Sequence, residues 1–309
     1  MKRREFLKAS GSAFAVASAS RVFGAGAPSN RVRLALAGCH KNGRGAAVLR
    51  SLLRTPGAEV AYVCDVDSRA MDYAAEVVKR ATGVAPKKEK DIRKVVAAAD
   101  LDGIVSETPD HWHAYSAWLA MKNGKHVYVE KPCLFCPAEG EILIRTQRAS
   151  GRVFQMGNQR RSSRSYRQAL AFLESKKPIG DLRWAKSWYS ANRGSIGKGR
   201  VSDVPDWLDW DLWQGPAPRT AYRDNVVHYK WHWFKRWGTA ESGNNAPHFL
   251  DVGRLALGGD FPAESQCMGG KFFDKGDDYE WPDTFNMSFA FGNGKFLTWE
   301  GSSHNRLSP

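Results

Sequence analysis

Residues 31–37 (RVRLALA) are a short apolar run that stops at Gly38, the pattern of a strand buried on both faces of a parallel sheet. Helical spacing follows at 46–53, and a second apolar run at 58–64 is closed by Asp65. The alternation continues with a helix at 68–81, a strand at 102–106 and a helix at 111–122. A strand at 126–129, a helix at 137–149 and a strand at 153–156 complete it. This rhythm predicts βαβ units and a doubly wound, Rossmann-type parallel sheet over residues 31–157. Beyond Gly157 the rhythm changes. Residues 182–189, 264–273, 284–291 and 295–299 show the period-two alternation expected of antiparallel strands. Helical spacing returns at 162–175 and 247–257, and residues 192–239 are rich in Gly, Pro and Trp. The fold class is therefore α/β, with residues 158–309 forming an α+β domain around a largely antiparallel sheet. Its last strand ends close to Pro309, so the sheet is expected to continue past this chain, which reads as truncated.

The first residues follow another pattern. Arg3 and Arg4 precede Phe6-Leu7-Lys8 and a weakly apolar run at 13–19, which reads as a twin-arginine signal over residues 1–27. That pathway carries folded proteins, so the expectation is a cofactor acquired before export to the periplasm or beyond, with the Tat machinery as a partner. The segment is too short and too rich in Gly and Ser for a permanent membrane span, and no later apolar run is long enough.

Composition narrows the class. Hydrophobic residues at 42% and charged residues at 25% fit a soluble enzyme. The net charge of +14 is spread along the chain without a basic helix or finger motif, so no nucleic-acid partner is expected. Cys39, Cys64 and Cys267 sit among apolar neighbours and read as small core residues. Cys133 and Cys136 make a Cys-x-x-Cys, open to a disulfide or redox role. No second Cys or His pair stands at metal spacing, and no metal is expected.

The first strand–turn–helix is the candidate dinucleotide site. Gly38, Gly43 and Gly45 permit a close approach of phosphate to backbone N–H groups at a helix start. Their spacing, Gly-x4-Gly-x-Gly, is longer than the common fingerprint. Asp65, ending the second strand, suits the adenosine ribose hydroxyls and repels a 2′-phosphate, which favours NAD. Arg69 nearby keeps NADP possible. Eight of the 12 tryptophans fall between Trp184 and Trp237, beside His228, Tyr229 and His232; as a group they suggest a sugar-shaped site.

The stretch Thr108-Pro109-Asp110-His111-Trp112-His113 and, further on, Glu130-Lys131-Pro132 closely resembles the Gfo/Idh/MocA family of oxidoreductases. Gly157-Asn158-Gln159-Arg160-Arg161, the Trp-rich run at 209–216 and residues 243–251 extend the resemblance over nearly the whole chain after the signal. It implies an NAD(P)-dependent oxidoreductase with the nicotinamide between Lys131 and His248. Lys131 would polarise a substrate oxygen and His248 would move the proton. Glu130 is expected to hold Lys131, and Pro132 to fix the turn. The cofactor contacts so assigned are Gly38, Gly43, Arg44, Gly45, Asp65, Arg69, Pro109, His113 and Glu130. Arg160, Asn244 and Asp251 are assigned to the substrate. Asn244, one helical turn before His248, is an amide where the family commonly has Asp. Asp251 is open to orienting His248 or capping local structure. The implied substrate is a sugar or polyol, and a homo-oligomer is expected. Two rivals stand beside this reading: an NAD-dependent glycosidase working through transient ring oxidation and elimination, and a sugar-binding protein without catalysis.

Overall fold

A computed structural model describes residues 31–304. The twin-arginine reading of residues 1–27 lies outside the described residues. The first domain holds strands β1 (Val32–Ala37), β2 (Ala58–Cys64), β3 (Lys87–Glu89), β4 (Gly103–Ser106), β5 (His126–Glu130) and β6 (Phe154–Gly157). They form one parallel sheet in the order β3-β2-β1-β4-β5-β6. The apolar strands are buried because helices cover both faces: α1 (Arg44–Leu52), α2 (Ser68–Thr82), α3 (Ile92–Val96), α4 (Asp110–Lys122) and α5 (Pro137–Ser150). Two short elements were not anticipated, β3 and α3. Three residues of charged strand and five of helix are too little for periodicity to show.

α4 departs from the usual one-sided helix. Its buried residues run nearly all round, including Asp110, His111 and His113. The second domain supplies the cover. The Asp110 carboxylate accepts from the Thr239 N–H at 3.0 Å and its hydroxyl at 2.5 Å, and the Trp112 indole donates to the Trp213 carbonyl at 2.9 Å. Asp110 thus ties the domains together, and Pro109 holds the N-cap position of α4.

The second domain contains α6 (Arg164–Lys176), β7 (Trp184–Ser190), α7 (Trp210–Gln214), α8 (Ala240–Asn244), α9 (Ala246–Leu257), β8 (Pro262–Gly270), β9 (Thr284–Phe291) and β10 (Phe296–Ser302). Its sheet runs β7-β10-β9-β8 and is antiparallel except for the parallel β7–β10 pair. β7 and β10 are separated by most of the domain, which leaves room for the crossover that parallel pairing needs. α9 packs Phe249, Leu250 and Leu257 onto one sheet face.

The Trp-rich stretch 192–239 reaches back over the first domain. Leu208 bridges to Asp67, the Ser68 N–H donates to the Trp207 carbonyl, and the Asp209 N–H to that of Val66, each at 2.9 Å. Of the tryptophans expected to form a sugar-shaped site, only Trp213 and Trp231 line the cavity between the domains. Trp210, Trp213, Trp231, Trp233 and Trp237 pack together as buried core between the domains. Trp184 and Trp188 lie exposed on the second sheet.

Candidate active site

Gly38 ends β1 with φ +86, where a side chain is strained, and a Cβ there would overlap the Glu107 carbonyl. A Cβ on Gly45 would likewise overlap the Gly38 carbonyl. The chain therefore turns tightly from β1 into α1. Gly43, the N-cap of α1, gives no side chain to its first-turn N–H groups, which remain available to an anion. Asp65 follows β2. Its carboxylate accepts the Cys39 N–H at 2.6 Å and the Asp67 N–H at 2.9 Å, so it both braces the glycine turn and lines the cavity. Burial pushes its pKa up to about 6, against those hydrogen bonds, which favour the ion.

These residues open into a cavity of about 720 Å³ between the two domains. Gly38, Gly43, Arg44, Gly45, Asp65, Pro109, His113 and Glu130 all line it, as do Lys131, Asn244 and His248. A glycine turn, free helix N–H groups and a strand-end carboxylate fit a dinucleotide. The second domain adds Leu212, Trp213, His228, Tyr229, Trp231 and His232 to the wall.

Lys131 follows β5, with a cis peptide to Pro132. Glu130 accepts the Lys131 backbone N–H at 2.8 Å while bound to Arg44 (3.2 Å) and Gln159. It thus fixes the Lys131 backbone, and the ammonium is held elsewhere. Lys131 Nζ donates to the Asn244 carbonyl at 2.8 Å and to its amide Oδ1 at 3.2 Å. Burial lowers the Lys131 pKa, with Asp110 the first of the carboxylates opposing it.

His248 stands in the first turn of α9. Its Nδ1 is buried and has no hydrogen-bond partner among the described residues. Burial, then Lys131, Arg160 and Arg44, press its pKa down to about 4, so the ring is neutral at pH 7. His113 Nδ1 lies 2.6 Å from the Pro132 carbonyl, which orients the ring. His232, stacked on Trp231 and also lowered to about 4 by burial, completes the second-domain side with Tyr229.

Four readings need correction. Arg69 does not line the cavity: it forks onto Asp67 and lies 3.6 Å over the Trp207 ring. Arg160 is also outside the wall, over Phe249 at 4.4 Å and donating to the Tyr166 hydroxyl. Asp251 cannot orient His248, because Arg161 takes both its oxygens at 2.6 and 2.7 Å. Asn244 ends α8, not the helix that carries His248, and its oxygens serve Lys131. The sequence reading passed over Glu107. It lines the cavity just after β4, with both carboxyl oxygens buried and unpartnered. Its signal was a carboxylate at a strand end, as for Asp65.

Residues 32–158 match the model of the oxidoreductase family with the NAD-binding Rossmann fold, GFO_IDH_MocA. A glycosyl hydrolase family 109 protein from Saccharopolyspora erythraea is 40% identical over 93 residues, 29% of this chain and 20% of that protein. A second, from Stenotrophomonas maltophilia, is 30% identical over 162 residues, 50% of this chain and 35% of that protein. The chain thus spans about a fifth to a third of these relatives' length. An NAD-binding protein from Listeria innocua shares the fold with a TM-score of 0.65 and 20% identity, over 90% of this chain and 68% of its own. The glycine turn, the carboxylate after β2 and the Glu-Lys-Pro turn after β5 all lie within residues 32–158 of this chain, the part that is similar to the Gfo/Idh/MocA oxidoreductases with the NAD-binding Rossmann fold.

Proposed function

We propose that the protein transfers a hydride between a sugar or polyol CH–OH group and NAD held in the cavity between its domains. The observation that carries this is the pairing of Lys131 and His248. A cation pinned by Asn244 and a neutral imidazole with an unpartnered nitrogen line one cavity. NAD, when bound, accepts the hydride from the substrate carbon and can return it. Lys131 binds the substrate oxygen and stabilises its growing negative charge as the hydride leaves. His248 takes the hydroxyl proton, so the alcohol loses a hydride and a proton and becomes a carbonyl. Tyr229, His232 and Asn244 offer hydrogen bonds for neighbouring hydroxyls. Domain closure by the 192–239 stretch limits escape of the nucleotide. That suits export by the twin-arginine machinery with the cofactor loaded, and a redox-neutral cycle.

The similarity to glycosyl hydrolase family 109 proteins favours a second form of the same chemistry. The ring hydroxyl is oxidised to a ketone, the acidified neighbouring C–H is removed, the glycosidic substituent leaves, water adds and the ketone is reduced again. Single-turnover reduction of bound NAD, followed by absorbance with a panel of sugars and glycosides, tests the shared step. Release of nitrophenol from a nitrophenyl glycoside without net NADH selects the second form. A protein that binds NAD but is reduced by no sugar or polyol refutes both.

A further inference from the structure

Glu107 has no part in the hydride step. It is the first residue beyond β4, as Gly38 is beyond β1. These two strands pair in the sheet, and the strand order reverses between them. That crevice is where doubly wound sheets take their ligands. The Glu107 N–H donates to the Ala37 carbonyl at 2.7 Å, which seats the residue against the glycine turn. Glu107 is one of the cavity's lining residues; both of its carboxyl oxygens are buried, and neither has a hydrogen-bond partner among the described residues.

The titratable and charged groups facing it are Arg44 at the start of α1, Tyr128 and Glu130 on β5, and Lys131. Neither cation pairs with it: Arg44 donates to Glu130, and Lys131 to Asn244. Burial first, then Glu130, raises its pKa to about 9. At neutral pH the group is therefore a carboxylic acid with an O–H to donate.

We propose that Glu107 binds the dinucleotide as a neutral acid, donating its O–H to the nucleotide in the β1–β4 crevice, so that affinity is coupled to one proton. The nucleotide's phosphates are anionic and Glu130 is already ionically engaged. An ionised Glu107 would add a repelling charge, while the neutral acid gains the partner it lacks. The inference rests on the nucleotide occupying this cavity and needs nothing from the substrate chemistry.

The test is calorimetric titration of NADH, which survives alkali, into nucleotide-stripped full chain from pH 7 to about 10.5. Wild-type affinity should hold at first and then fall about tenfold per pH unit above the ionisation of Glu107. Glu107→Gln keeps a donor, so it should bind within about threefold of wild type at pH 7 and lose that fall. Lys131→Met should retain the fall, separating it from loss of the lysine charge. Near pH 9.5, buffers of different ionisation enthalpy should reveal proton uptake on binding to wild type and none with Glu107→Gln. The wild-type uptake decides the matter if the variant does not fold. An equal fall in both proteins, or wild-type binding without fall or uptake, overturns the proposal. Absence of binding at every pH overturns the nucleotide reading with it.

Discussion

Lys131 and Asn244 come from different domains, yet the Lys131 ammonium donates to both oxygens of Asn244, at 2.8 and 3.2 Å. The cation assigned to the substrate oxygen is therefore aimed by the second domain. Its charge is not cancelled, because the amide is neutral, and burial lowers its pKa.

Lys131→Met removes the ammonium and keeps most of the stem. Nucleotide should still bind, while single-turnover hydride transfer drops by roughly two to four decades. Asn244→Asp places a charge beside the ammonium and should move the alkaline limb of the pH–rate profile upward by about one unit. Transfer at wild-type rate in Lys131→Met would remove the residue from the reaction.

His248 is neutral down to about pH 4. The acid limb of hydride transfer should therefore lie well below the range of a free imidazole. His248→Asn should lower transfer by roughly two to four decades and remove that limb. A wild-type profile that turns near pH 6.5 would show that another group, or a restored His248 pKa, controls the step.

His111, His232 and His248 are all pressed down to about 4 from 6.5, chiefly by burial. A depressed folded-state pKa gives stability that is full above the unfolded value and lost as pH falls through the window from 6.5 to 4. Each group can contribute up to about 1.4 kcal/mol per pH unit there, less for His248, which is the least buried of them. Thermal unfolding followed from pH 7 to 4 should show a steepening loss of Tm, reduced in His248→Gln. An unchanged slope in that variant would place the acid sensitivity elsewhere.

Asp65 titrates at about 6. Above that pH its charge should disfavour the 2′-phosphate of NADP, and below it the discrimination should fade. Titrations of both nucleotides at pH 5.5 and 7.5 should show the preference for NAD narrowing at the lower pH. Asp65→Ala should weaken NAD more than NADP, with a general loss because the Cys39 and Asp67 N–H groups lose their acceptor. Equal losses for both nucleotides would leave Asp65 only its bracing role.

Local order was legible in the chain. Strand residues such as 60–64 are apolar because helices cover both faces, and glycines 38 and 45 mark a turn with no room for a Cβ. The nucleotide half of the site was readable for the same reason: one strand–turn–helix unit carries most of it within a short stretch of sequence. The rest depends on contacts between residues far apart in the chain. Asp251 stands three residues from His248 but is claimed by Arg161, and Asn244 belongs to another helix. Composition did not tell which tryptophans only pack in the core, as Trp210, Trp233 and Trp237 do, and which also line the cavity, as Trp213 and Trp231 do. Glu107 gave no periodic signal: its isolation arises only when β1 and β4 lie side by side and the second domain closes the cavity. Periodicity and turn chemistry are short-range properties that sequence determines directly. Which side chain is paired, desolvated or left without a partner is settled by packing across the domain boundary, and the tertiary structure alone decided it.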